Sequence, residues 1–468
     1  MQAKTPTPPQ RRINRVQASG VGLWPAKLVF PQPGKVCYTI CHSACALTAH
    51  VQTAPPDYRN KRPWIVIALL FFAAAINYID RGSLSVAAPR LVADLSLSPI
   101  QMGFLLSAFF WSYTGFQLLS GWLADRYPVK WVLGLGFLLW SAATLGSGLA
   151  GGLASLALLR FVLGAGESVA FPCYSKVMTA GFPLEKRGLP NSILDAGTKV
   201  GPAFGTLVGG LLVAAYGWRA MFFLLGLGSL LWLIPWSVWA PRPAAASRGA
   251  ASVTGPSMLL IVKRRDAWGT FIGNFCYTYA YYFLLTWLPS YLVKERHVSL
   301  ATMSVLGSIP FWGGAASAVV CGWASDAWIR RGASPTRVRK TFVVSGMLLS
   351  TAMVPAVMVR DLSVSIALLC VAYIAFGIYA SNHWAITQTL AGPEAAGKWT
   401  GLQNTVGNLS GIVAPVATGY LVQGTGNFFW AFVSPAVLAI VGVCCYLFLV
   451  GPVAPVIWDS RVNAEVVR

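Results

Sequence analysis

Between about residues 63 and 450 the chain is a succession of apolar stretches of roughly 20 residues, separated by short polar loops. A helix rises about 1.5 Å per residue, so each stretch can cross a hydrocarbon core about 30 Å thick. The chain is 56% hydrophobic and only 10% charged, whereas an ordinary soluble domain is about a quarter charged. So little charge cannot cover a folded surface of this size in water. Gly and Pro recur inside the apolar stretches, which membrane helices tolerate. The short alternating segments of an outer-membrane barrel are not visible. The expected fold is an all-α polytopic membrane protein embedded in the lipid bilayer.

Twelve helices are expected, at about 64–90, 99–124, 130–151, 154–179, 187–215, 219–240, 266–293, 300–328, 341–359, 362–391, 397–423 and 427–450. Loop charge orients them. With the N-terminus inside, the internal loops carry about 15 Lys and Arg, among them Arg126, Lys130, Lys263, Arg264, Arg265, Arg330, Arg331 and Arg339. The external loops carry about five, including Arg90, Arg219 and Arg360. An even helix count returns the C-terminus to the cytoplasm, which places a multi-pass protein in the inner (plasma) membrane. The net charge of +21 is therefore read as topology marking, and no nucleic-acid partner is expected.

The chain divides by composition. Residues 1–62 are rich in Pro, Gln, Arg and Thr and are expected to form a disordered basic extension. They lack the apolar core of a secretory signal, so no cleaved signal peptide is expected. Cys37, Cys41 and Cys45 with His42 and His50 make a weak metal pattern there, and no metal site is assigned. A six-helix bundle over 63–240 is followed by a Pro- and Ser-containing cytoplasmic linker at 241–264. A second six-helix bundle over 265–450 precedes a cytoplasmic tail at 451–468. An internal repeat supports the division: Gly121-Trp122-Leu123-Ala124-Asp125-Arg126 is echoed by Gly322-Trp323-Ala324-Ser325-Asp326. Each copy ends the second helix of its half, the pattern of parallel half-repeats.

The loop Gly121 to Lys130, G-W-L-A-D-R-Y-P-V-K, resembles the signature between helices 2 and 3 of the major facilitator superfamily. In that reading Gly121 permits close helix approach, while Asp125, Arg126 and Asp326 form a cytoplasmic charge network that gates the carrier. A narrower resemblance rests on Asn77-Tyr78-Ile79-Asp80-Arg81, Ser107 to Thr114, Arg160, Gly166-Glu167 to Phe171-Pro172, and Gly407 to Val413. These segments are similar to the anion:cation symporter family, which includes proton-coupled importers of hexuronates, aldonates, aldarates and related acids. The resemblance covers about 63–450 and implies two pseudo-symmetric six-helix bundles, alternating access, and function as a monomer.

Charged groups inside membrane helices cost at least a few kcal/mol, so they normally face a cavity or a partner. Asp80 and Arg81 lie deep in helix 1 and, being adjacent, point about 100° apart. Arg160 and Glu167 are two turns apart and share one face of helix 4. A cation and a carboxyl on one wall suit an anion-and-proton cycle. The family resemblance assigns Arg81 to the substrate carboxylate and Tyr113 to a polar substrate contact. It assigns Asp80 and Glu167 to proton coupling, with Arg160 acting on the carboxyl.

Thr198 falls where some family members place a substrate-contacting glutamine, so it is a candidate contact with a changed residue type. Two uses are open to Lys199: pairing with Asp195 at i,i+4, or supplying a second positive group. The second half offers neutral polar groups, of which Asn404 and Asn408, one turn apart, are the best candidates for substrate contact. Only four His occur, no nucleophile–base pair or metal cluster is recognisable, and no Walker loop appears. No catalytic residue, enzyme activity or cofactor is expected; the proton gradient supplies the energy. The expected function is proton symport of a small organic anion. Export on the same fold and a transporter-like nutrient sensor are the alternatives.

Overall fold

The computed structural model describes residues 62–182, 188–241 and 256–458. The expectations for residues 1–62, including the weak Cys/His pattern, therefore fall outside the described residues, apart from Arg62 itself. Among the described residues the regular structure is helical, without strands. The helices are α1 Arg62–Asp94, α2 Pro99–Arg126, α3 Val129–Ser147 and α4 Leu153–Met178. They continue with α5 (188–216) and α6 (218–239), then α7 Arg265–Lys294, α8 Leu300–Arg330 and α9 Pro335–Met358. The last are α10 Leu362–Gly392, α11 Ala395–Thr425 and α12 Phe429–Leu449.

Among the described residues, nine stretches are long and apolar enough to cross a membrane by themselves. One of them, Ile193–Trp239, holds two crossings, because Gly217 sits at φ 83° and breaks the helix. Without a Cβ, glycine enters this left-handed region at little cost. Gly392, at φ 62°, separates α10 from α11 in the same way. α2 and α7 complete the twelve although their polar residues lower their hydropathy. The described part of the linker carries a short helix, Met258–Val262. The tail begins by docking on the second half: Val456 N–H donates to the Leu390 carbonyl and Trp458 Nε1 to that of Ala391.

Helix ends repeat between halves as the sequence does. Ser98 caps α2 by accepting from Gln101 N–H, and Ser299 caps α8 by accepting from Thr302 N–H. Such caps satisfy backbone donors that a helix start leaves unpaired. The outer faces expose Phe72, Trp111, Leu135, Val319, Trp323 and Phe448. In water these would be liabilities; on a membrane helix they meet acyl chains.

Lipid supplies no hydrophobic drive to bring helices together, so close packing of small residues does more of the work. α4 is fixed in this way on two sides. A Cβ on Gly164 would collide with the Phe109 carbonyl oxygen of α2, and one on Gly166 would lie 3.0 Å from the Gly136 oxygen of α3. Within the first half α1 packs on α5 and α3 on α6. Across the halves α2 packs on α11 and α5 on α8, pairs that exchange when six is added to or subtracted from each number. That exchange is the expected two-fold pseudo-symmetry.

The contacts joining the halves cluster at one end. Ser85 Oγ donates to the Leu285 carbonyl at 2.7 Å, and Ile100 N–H to Gln423 Oε1 at 3.4 Å. Phe104 meets Tyr420 edge-on, and Gly210 and Ser304 come into close contact. All lie toward the loops 95–98 and 295–299. At the opposite end a Cβ on Gly121 would meet nothing within 4 Å. The close approach expected at Gly121 is thus absent in this conformation. The sealed end yields a prediction. A Cβ on Gly103 would lie 2.6 Å from the Pro415 carbonyl oxygen. Gly103→Leu should therefore cost about 1–3 kcal/mol in this conformation and pry the seal apart. Maleimide labelling of Ser85→Cys from the sealed side should rise severalfold in the double variant, and unchanged labelling would reject this account of the seal.

Candidate functional site

The four deep charges of the first half converge on one point between α1 and α4. Arg81 Nε donates to Glu167 Oε2 at 2.9 Å, with side-chain exposures of 3% and 0%. Arg160, from the same face of α4, reaches back to α1. Its Nη1 donates to the backbone carbonyl of Asp80 at 2.9 Å and its Nη2 to Ser83 Oγ at 3.0 Å. Arg160 thus fastens the α1 backbone beside the Asp80 side chain, while Arg81 holds the carboxylate of α4.

The sequence sets Glu167 at the weak point of α4. The regular helix Leu153–Glu167 stops there, and a new one, Ala170–Gly181, starts after two intervening residues. Pro172 has no N–H to donate and is tolerated only because it falls in the first turn of the new segment. The break and the close packing at Gly164 and Gly166 together place the carboxyl against α1.

The Arg81 guanidinium is boxed by aromatic rings. Its Cζ lies 4.4 Å from the centroid of Tyr113, 4.7 Å from Tyr78 and 4.9 Å from Phe109. Cation–π attraction of this kind favours a desolvated cation. The cluster is nevertheless incompletely satisfied. Arg81 Nη2, Glu167 Oε1, Asp80 Oδ2, Arg160 Nε and both amide atoms of Asn77 are buried without a hydrogen-bond partner. A buried unpaired donor or acceptor costs about 1–3 kcal/mol, more when charged. So many buried polar atoms in one place make this point the strongest candidate for holding a polar ligand.

The remaining sequence candidates fall into three places. Tyr113 is buried against Arg81 and stacks on Phe109 at 5.3 Å. Thr198 Oγ1 donates to the Asp195 carbonyl at 2.7 Å, so α5 itself satisfies it. Asn408 accepts from Tyr282 Oη at 3.1 Å and donates to the Asn404 carbonyl at 3.0 Å. Tyr282 in turn packs on Phe110 of α2 at 4.5 Å. Asn408 therefore approaches the first-half site through Tyr282, and Asn404 sits half-buried a turn away.

The gating candidates lie apart from this cluster. Asp326 pairs with Arg339 at 2.7 Å, and Arg339 also donates to Ser325 Oγ and Asn382 Oδ1. All four residues belong to the second half. Arg126 is exposed, and the Asp125 side chain lies outside the described residues. Residues that sequence reasoning did not place in the site include Asn77, Thr144, Tyr174 and Phe109. Asn77 carried a signal, since it lies one turn before Asp80 and Arg81 on α1. Thr144 comes from α3 and carried none.

A family model for the Major Facilitator Superfamily matches residues 70–415. A probable galactarate/D-glucarate transporter, GudP, of Bacillus subtilis (strain 168) is 31% identical over 87% of this chain and 96% of its own length. Its Escherichia coli (strain K12) namesake is 33% identical over 84% and 94%. The D-galactonate transporter of E. coli O6:H1 is 29% identical over 84% and 97%. Among solved structures, a bacterial homologue of the human lysosomal transporter Spinster superposes with a TM-score of 0.73 at 17% identity, covering 83% of this chain and 97% of that one. The likeness in fold, the family match and the relatives at this coverage agree: the chain belongs to the Major Facilitator Superfamily.

Proposed function

We propose that this chain imports a small organic anion, a sugar acid of the hexuronate, aldonate or aldarate kind, by proton symport with alternating access. The observation that carries the reading is the Arg81–Glu167 pair, buried yet with Nη2 and Oε1 left unpartnered. One guanidinium faces two kinds of carboxylate, that of Glu167 and that of a substrate. Protonation of Glu167 frees Arg81 for the substrate, whose planar carboxylate matches the guanidinium fork. Loss of the proton restores the ion pair and expels the anion. Competition for one cation thereby couples the two fluxes without further parts. The relatives named for galactarate, D-glucarate and D-galactonate support the substrate class.

Asp80 supplies a second buried carboxyl beside the first. That matters because each elementary charge moved against the membrane potential costs about 2.3 kcal/mol per 100 mV. A monoanion entering an inside-negative cell with one proton gains nothing electrically, and a second proton makes the cycle favourable. With the positive loops inside, the sealed end is the outer one, and this conformation faces the cytoplasm.

Two measurements in proteoliposomes test the reading. Arg81→Lys keeps the charge but loses the planar fork, so sugar-acid uptake should fall at least about tenfold; undiminished uptake would remove Arg81 from the substrate site. Glu167→Gln keeps the shape and loses the titration. It should abolish substrate-driven proton movement while counterflow exchange persists, and retained proton movement would reject Glu167 as the coupling group.

A further inference from the structure

A second cation faces the seam from the other side of the pathway. Lys199, on α5, borders a narrow cavity with Tyr277 and Tyr281 of α7, Phe311 of α8, and Tyr373 and Phe376 of α10. Its side chain is 27% exposed, and Asp195 stands 3.9 Å away, at the limit of an ion pair. The Asp195 carboxylate is itself 64% exposed, where solvent screening leaves such a pair worth little. Lys199 is therefore an ammonium among aromatic rings with only a loose partner.

Independent of the lysine, the cavity holds an unmet polar group. Tyr373 is 2% exposed and its hydroxyl has no hydrogen-bond partner. The space between the two cations is phenolic. Tyr281 lies within electrostatic reach of both Lys199 and Arg81, and Tyr78 packs under Arg81 while also reaching Lys199. A cation partly withdrawn from water gains from an anion placed beside it. A ligand with one carboxylate at Arg81 leaves Lys199 uncompensated, whereas one carrying a carboxylate at each end satisfies both.

We propose that Lys199, with Tyr277, Tyr281 and Tyr373, forms a second anion subsite for the far carboxylate of a dicarboxylate whose near carboxylate is held at Arg81. The inference rests on the organic-anion reading and narrows it to polyhydroxylated diacids. The hydroxyls of the chain between the carboxylates face the phenol hydroxyls that line the route. Asp195, exposed and loosely held, gives way to the incoming carboxylate.

Galactarate and galactonate share one carbon chain and differ only in whether the second end is a carboxylate, so they isolate the subsite. Calorimetric affinities of the purified full chain for both acids give a ratio. In the wild type galactarate should bind at least about tenfold tighter, a difference of about 1.4 kcal/mol. Lys199→Gln should reduce the ratio by at least about tenfold, Lys199→Arg should keep most of it, and Tyr373→Phe should lower it severalfold. An unchanged ratio in Lys199→Gln, or in Tyr373→Phe should the lysine variant not fold, overturns the subsite. So does a wild type that binds galactonate as tightly as galactarate, which leaves the organic-anion reading standing. A wild type that binds neither acid overturns both.

Discussion

A guanidinium and a carboxylate 2.9 Å apart, both removed from water, set the terms for the rest of the first half. Neither charge can be buried alone without a penalty of several kcal/mol. The pair therefore ties α1 to α4, and it holds only if α4 is positioned closely. Glycines at 164 and 166 allow that position by letting α4 touch the backbones of α2 and α3. Arg160 adds a second tie that uses the α1 backbone as its acceptor, which keeps its own charge compatible with Asp80 close by. The pair is thus both a structural clasp and the point at which an anion can intervene.

Most of the architecture was legible in the sequence because the bilayer imposes it. Apolar length marked the helices, and ends fell close to the expected limits at Pro99, Leu300 and Leu362. In contrast, α9 starts at Pro335, six residues before the expected 341, because its first turn is basic and polar. The repeated Gly-Trp motif marked the halves. The site was legible where spacing on one helix decides it: Arg160 and Glu167, seven apart, do share a face and both meet α1. Legibility ended where partners come from other helices. No spacing rule indicates that Arg160 takes a carbonyl and not the Asp80 carboxylate, that Thr198 is satisfied by its own helix, or that Asn408 reaches the site through Tyr282. Gly121 shows a different limit. Under the proposed alternating access one sequence would serve several conformations, and a residue suited to close approach in one would stand free in another, as Gly121 does here.

The two halves are alike in fold and unlike in chemistry. Ser98 and Ser299 cap equivalent helices, and the α2–α11 and α5–α8 contacts mirror one another. The deep ions, in contrast, sit on α1, α4 and α5, while α7, α10 and α11 face them with phenols and amides such as Tyr277, Tyr282, Tyr373 and Asn408. Neutral groups can exchange partners at little electrostatic cost, which would suit a surface that, on the proposed cycle, releases its neighbours and takes them up again. Symmetry of backbone therefore coexists with a division of labour between side chains.

That division has an electrical consequence. Among the described residues, charges buried in the middle of the membrane belong to the first half alone. On the proposed cycle a rocking second half would drag no deeply buried charge through the transmembrane field, and the work done by the voltage, about 2.3 kcal/mol per charge per 100 mV, would fall on the ions of the first half, the protons and the cargo. The second half would then carry almost no gating charge of its own. Voltage sensitivity would belong to the ions of α1, α4 and α5 and to what the carrier moves, with the other half electrically silent.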